Sequence, residues 1–426
     1  MALSRIWSAF IICALLVAGF QWYQTGDPAV FSYMVTGKST DAYAQAHPPG
    51  ADGLIETCNT AVQICIKLIG IMALFMGLMR IAEQAGGINL LSRIIAPFFS
   101  RLFPGLPKDH PAMGHMMMNF SANLLGLDNA ATPFGIRAMQ SLQETNPDKN
   151  RASDAQIMFL CLHASGLTLI PVSIIAARAA LLAESPTDIF VPCLIATFVA
   201  TLAALLLVSF RQKINLMNLP VILWLGGISM LIISLVVYTR TLAPEGLASF
   251  SGLLSNGLIL FIFLAIVVGG LYKKINLFEA FVDGAKGGFE TAVKIIPYLV
   301  GILVAISMLR TSGTFEIVIQ GMKQFFAMLG FDTRFVDGLP TALIKPLSGS
   351  GARGMMISAM ETYGPDSFAG RLSCILQGSS DTTFYVIAVY FGAVGISNTR
   401  YAVGTMLLAD LAGILTSIGL AYMFFG

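Results

Sequence analysis

Gln377-Gly378-Ser379-Ser380-Asp381-Thr382-Thr383 puts seven small or polar residues between the apolar runs Cys374-Ile375-Leu376 and Phe384 to Val394. One of the seven, Asp381, is ionisable. The flanks read as membrane segment, and the centre breaks it. Non-helical polar backbone survives at that depth only where it is buried in protein or lines a wet cavity. An ionisable residue there marks a functional site by default. The stretch therefore predicts an all-α polytopic membrane protein with broken or re-entrant helices, one that handles a polar solute within a bilayer.

Composition agrees with the membrane reading. The chain has 426 residues, 56% hydrophobic and 11% charged, with mean hydropathy +0.77. Soluble domains carry about 25% charged residues. A net charge of +2 without a basic block excludes nucleic acid as a partner. The six cysteines lie mostly in apolar runs with no CxxC spacing, and the four histidines form no HExxH pattern. They read as core residues, so neither a disulfide framework nor a metal site is expected. No P-loop, dinucleotide fingerprint or nucleophile elbow is present, which implies no cofactor and no enzyme activity.

Spans are expected near 6–22, 57–79, 188–210, 220–238, 254–271, 290–309 and 403–425, with 155–177 and 370–394 long enough but broken. The first is read as a retained helix and 23–55 as an exposed loop. Arg80, Lys149, Arg151, Arg211, Lys213, Lys273, Lys274 and Lys286 all fall on one side, the cytoplasmic one. Arg310, Lys323 and Arg334 fall on the other side, against the rule.

Two halves of the chain look alike. Thr60 to Gly70 parallels Thr291 to Gly301, Ile136-Arg137-Ala138-Met139 parallels Ile357-Ser358-Ala359-Met360, and Leu162 to Thr168 parallels Leu376 to Thr382. The charge pattern sends 57–79 inward and 290–309 outward. The repeats are thus expected to be inverted, as in transporters that bind solute at paired broken helices.

Three constellations carry the candidate binding residues. In Asn119 to Gly135, Asp128, Asn129 and Thr132 offer oxygens beside Pro133; the plainer alternative is a loop in which Asp128 and Asn129 cap a helix. In Ile344 to Gly354, Lys345 and Arg353 flank a loop with Ser348 and Ser350, which suits an anion; alternatively the two charges pair with Asp residues of the other half. The third holds Gln377, Ser379, Ser380, Asp381, Thr382 and Thr383, and the repeat places His163, Ser165 and Thr168 at the matching positions of the first half. Asp381 there binds a cation or carries a proton, or it forms a static ion pair. Asp410, within the last span, is read with equal weight as a structural pairing.

Arg80 to Gly86, Leu102 to Pro107, Asp109 to Gly114 and Gly126 to Pro133 resemble the spore maturation protein A family. Leu343 to Gly351, Tyr363 to Asp366 and Gln377 to Tyr385 resemble the spore maturation protein B family. The resemblance covers nearly everything past residue 56, as if both were fused with a join near 211–250; the loop 23–55 departs from it. It implies two nucleoside-recognition, or gate, domains, shared in name with concentrative nucleoside transporters and the ferrous-iron transport protein B. The expected organisation is an N-terminal helix and loop (1–55), a first gate-type repeat (56–215), connecting helices (216–275) and a second gate-type repeat (276–426). The expected function is a permease of the cytoplasmic (inner) membrane for a small polar solute, with a nucleoside-like solute, a coupling cation or proton and a homo-oligomeric assembly left as open options. The rival is a non-transporting scaffold or regulator in cell-envelope or spore-cortex maturation.

Overall fold

The computed structural model describes residues 2–37, 53–107, 110–125, 128–241 and 244–426, and the described residues are helical with no strand. Helices α1 (Ala2–Thr25) and α2 (Ala29–Thr36) come first. The segment expected as an exposed loop thus holds α2, which buries Val30, Tyr33 and Met34; the rest of it, 38–52, lies outside the described residues. Trp7 Nε1 donates to Gly301 O (2.8 Å) and Gln21 Nε2 to Ser312 O (3.1 Å), which fixes α1 along the chain near residue 300.

The first repeat runs α3 (Leu54–Gln84), α4 (Gly87–Leu102), α5 (Pro111–Leu124), α6 (Asp128–Glu144), α7 (Asp154–Ala164), α8 (Val172–Ala180) and α9 (Phe190–Gln212). Two connecting helices follow, α10 (Leu219–Arg240) and α11 (Pro244–Tyr272). The second repeat runs α12 (Leu277–Thr311), α13 (Thr314–Met328), a 3-10 turn Arg334–Asp337, α14 (Leu339–Ile344), α15 (Gly349–Tyr363), α16 (Phe368–Gly378), α17 (Thr383–Gly392) and α18 (Ala402–Phe425). The α-helices match in order, with the 3-10 turn added in the second repeat. Left-handed glycines, Gly86 and Gly313, precede α4 and α13 alike. Both expected broken spans break: α7 from α8 across 165–171, and α16 from α17 across 379–382.

Local chemistry sets several helix starts. His110 Nδ1 accepts from Ala112 N ahead of Pro111 at the first position of α5, where proline loses no intrahelical bond. Ser153 and Gln156 form a capping box on α7. Ser348 Oγ accepts from Gly351 N to start α15.

Six helices among the described residues are long and apolar enough to cross a membrane: Trp7–Thr25, Leu54–Gln84, Phe190–Gln212, Leu219–Tyr238, Gly252–Tyr272 and Ala402–Phe425. The span expected at 290–309 lies inside α12, whose segment Leu299–Thr311 bends by 75° into α13. The cations that broke the charge rule each have a partner within the chain. Arg310 is buried over the Phe315 ring and donates to Ser358 Oγ, Lys323 pairs with Asp337, and Arg334 pairs with Asp332.

The chain folds as two compact units, Met1–Met72 with Ala176–Pro186 and Phe289–Gln377, and Ala73–Ile175 with Thr187–Gly288 and Gly378–Gly426. Each draws on both repeats. Inside the second unit, equivalent helices run antiparallel. On α9 and α18, Gln212 Nε2 meets Tyr401 Oη at 2.8 Å, while a Cβ at Gly413 would stand 3.3 Å from that of Ala200. On α3 and α12, Gly77 packs on Phe281, Met76 on Gly284 and Gly287, and Arg80 on Asp283, a close crossing of the two helices. The repeats are therefore inverted. Glycine makes this crossing possible, since small residues let helix backbones approach. A Cβ at Gly284 would overlap Met76 O and lie 2.9 Å from Gly77 Cα. Gly284→Ala is expected to cost about 1–3 kcal/mol of stability, read as a lowered unfolding midpoint. Gly287→Ala, with Met76 Cε at an ordinary 3.6 Å, should leave the midpoint unchanged.

Candidate functional site

In the second unit the two helix breaks meet. Asp381 N donates to Ala164 O at 2.8 Å, so the second break caps the end of α7. Gly166, left-handed at φ 65°, lies against the backbone of Ser380 and Asp381: a Cβ there would be 3.0 Å from Asp381 N and 3.2 Å from Ser380 C. In the repeat alignment Gly166 and Ser380 occupy the same position. Equivalent residues meet in this way on a pseudo-two-fold axis. Ser165 Oγ is tied to Leu162 O and Thr168 Oγ1 to Gly166 O, so break one shapes its own turn.

Around the crossing stand the imidazole of His163 and the carboxylate of Asp381. His163 on α7 is buried, and its Nε2 lies 3.9 Å from Asp381 Oδ2. The Asp381 side chain is 43% exposed, and its Oδ1 accepts from Thr382 N at 2.7 Å. On the other side of the ring, Nδ1 lies 2.9 Å from Asn123 Nδ2 and 3.1 Å from Asn119 Oδ1. Asn119 Nδ2 in turn donates to Ala131 O at 2.7 Å. Tyr390 on α17 packs edge-on to His163 at 4.7 Å between centroids, and its hydroxyl faces Thr132 and Asn119. Deeper in, Thr383 Oγ1 donates to the buried Asp410 at 2.6 Å. Such a set presents hydrogen-bonding groups of the kind that suit hydroxyls and amides, beside a carboxylate.

The first unit carries its own polar cluster. Buried Lys345, just past α14, donates from Nζ to Gln377 O at 2.7 Å, neutralising the end of α16. A cation at a helix C-terminus is favourable. Gln377 is buried, reaches Gly349 O at 3.5 Å through Nε2, and has an Oε1 without a partner. Ser348 and Ser350 stand at the start of α15, which is the first turn of a helix rather than an open loop. Arg353 lies half-buried on that helix.

The structure thus brings His163, Ser165, Thr132, Asp381, Thr382 and Thr383 around one crossing, and Lys345, Ser348, Ser350 and Gln377 around another helix end. Ser379 and Ser380 are buried within the second break. Asp128 and Asn129 open α6, and their side chains lie outside the described residues. Asn119, Asn123 and Tyr390 join the site without having been singled out in the sequence. The i, i+4 spacing of Asn119 and Asn123 puts both on one helix face, which is the signal that identifies them.

Inverted repeats with crossing helix breaks define a class of polytopic membrane protein built from paired gate regions. A model of the gate family, described as nucleoside recognition, matches residues 65–181 and 292–397, and the chain belongs to that family. It is 46% identical over 173 residues to spore maturation protein B of Bacillus subtilis (strain 168), which covers 41% of this chain and 96% of that protein. It is 40% identical over 156 residues to spore maturation protein A of the same organism, 37% of this chain and 80% of that protein. The two matches fit a fusion of such proteins. No solved structure matches.

Proposed function

We propose that the chain is a multi-pass carrier of the cytoplasmic (inner) membrane for a small polar solute of nucleoside-like chemistry, not an enzyme. The repeats 56–215 and 276–426 are its working parts. The observation that carries this reading is the crossing itself: two helix breaks joined by Asp381 N–H to Ala164 O, with His163 and Asp381 facing across it. Broken helices at the meeting of inverted repeats supply backbone and side-chain partners to a solute within the membrane. Asp381 is the ionisable centre; Thr132 and the Asn119 and Asn123 amides supply the neutral hydrogen-bonding groups. In the first unit, the partnerless Gln377 Oε1 offers an acceptor to a donor group.

The test is thermal stabilisation of the purified full chain by nucleosides, nucleobases, amino acids and divalent cations, with Asp381→Asn run in parallel. A true solute at a hundred times its Kd should add about 2.7 kcal/mol to the wild type and nothing to the variant. If no solute stabilises the wild type and the variant melts far lower, Asp381 is structural. The scaffold role in cell-envelope or spore-cortex maturation then replaces transport.

A further inference from the structure

We propose that His163 and Asp381 form a proton-binding site in which His163 Nε2 takes the proton and Asp381 remains the anion; this rests on reading the break crossing as the carrier's working site. The argument is one of hydrogen-bond logic. Ala131 O can only accept, so the Asn119 amide, which donates to it from Nδ2 at 2.7 Å, cannot be reversed. Its Oδ1 therefore faces His163 Nδ1 at 3.1 Å, and an oxygen in that place requires a proton on Nδ1. The Asn123 amide, 2.9 Å from the same nitrogen, then turns its oxygen inward. A neutral imidazole so fixed leaves a lone pair on Nε2, which lies 3.9 Å from Asp381 Oδ2. Two acceptors face one another, and a proton on Nε2 resolves the conflict.

The step balances simply. A proton from water forms the Nε2–H bond, no bond to Asp381 changes, and the site passes from one negative charge to none. Asp381, 43% exposed, gives the proton its way in. Among the described residues, Tyr390 from α17 packs on the ring, Asp410 of α18 lies beyond Thr383, which donates to it, and α5 and α6 contribute Asn119, Asn123 and Thr132. The consequence is coupling. An uncompensated carboxylate is costly to carry through a low-dielectric barrier, whereas a neutral ion pair is less so. The loaded site can move and the empty one is held back.

The experiment is nitrogen-15 NMR of the full chain labelled at histidine and reconstituted in bilayers. With four histidines in the sequence, His163→Gln assigns the resonance. Between about pH 8 and about pH 5, the wild-type ring should pass from Nδ1–H alone to both nitrogens protonated. Asp381→Asn should stay singly protonated over that range, and Asp381→Glu should regain double protonation. A wild-type ring with its proton on Nε2 alone overturns the proposal. So does one that never takes the second proton, or one that titrates identically in Asp381→Asn. No solute enters the measurement, so the two readings fail separately. A titrating His163 in a protein that no solute stabilises keeps the proton site and sinks the carrier; solute stabilisation with a silent His163 does the reverse.

Discussion

Arg178→Met is expected to destabilise the protein by about 3–5 kcal/mol, the scale for breaking a buried ionic cluster by removing one partner. The Arg178 side chain is 0% exposed. Its guanidinium donates to Pro365 O at 2.5 Å, Ser185 O at 3.0 Å and Pro186 O at 3.2 Å, and pairs with Asp366 Oδ1 at 2.9 Å. Asp366 also accepts from Glu184 N, and its backbone oxygen accepts from Arg371 Nη1. One side chain thus binds the α8–α9 loop to the α15–α16 turn. Methionine fills the volume but takes the guanidinium donors from three carbonyls and from Asp366 Oδ1, leaving the carboxylate with Glu184 N and Arg371 Nη2. Lysine should not rescue it, because a single ammonium cannot reproduce a planar fork aimed at four oxygens.

The inverted repeat supplies the control. Arg400, after α17, pins the α6–α7 turn through Ala152 O at 3.1 Å and Asp154 Oδ1 at 2.7 Å. The topology is the same: a residue following one repeat's break ties down the turn before the other's. The burial differs, with Arg400 26% and Asp154 57% exposed. Arg400→Met should therefore cost less than about 1 kcal/mol. Unfolding midpoints of both variants in one detergent decide the matter; equal losses would refute the assignment of Arg178 as a buried staple.

What the chain reveals before folding follows from how local each signal is. The breaks at 165–171 and 379–382 were legible because polar and glycine residues interrupting an apolar run oppose a continuous helix. The repeat was legible because Ile136 to Met139 and Ile357 to Met360 keep their order, and the inversion because lysine and arginine report side. Partners were not legible. Lys345 looks like an anion ligand in sequence, and only the fold shows its ammonium on Gln377 O, 32 residues away. Asn119 and Tyr390 meet His163 across 44 and more residues, so neither stands out alone. Arg178 lies in the apolar segment Val172 to Ala180, and its burial depends on a turn nearly 190 positions further along.

Gly166→Ala should keep the fold and uncouple the site. The left-handed φ of 65° costs a side-chain-bearing residue about 1–2 kcal/mol. Strain alone is a stability effect. Position adds a second effect, because the new methyl would stand 3.0 Å from Asp381 N and 3.2 Å from Ser380 C, against backbone that cannot rotate away. The 380–381 strand of the break must retreat, stretching the 2.8 Å bond from Asp381 N to Ala164 O and drawing the carboxylate off His163. A further 1.5–3 kcal/mol from the displaced break, about the cost of overpacking, corresponds to solute binding weakened roughly 10- to 100-fold. Gly395→Ala separates the two effects. Gly395 is equally left-handed at φ 71°, yet a Cβ there meets nothing within 4 Å. Both variants should melt lower, Gly166→Ala by the larger amount because the displaced break adds to the backbone strain. Only Gly166→Ala should lose solute stabilisation and the second proton on His163; loss of both in Gly395→Ala as well would place the effect in global stability rather than in the meeting of the two breaks.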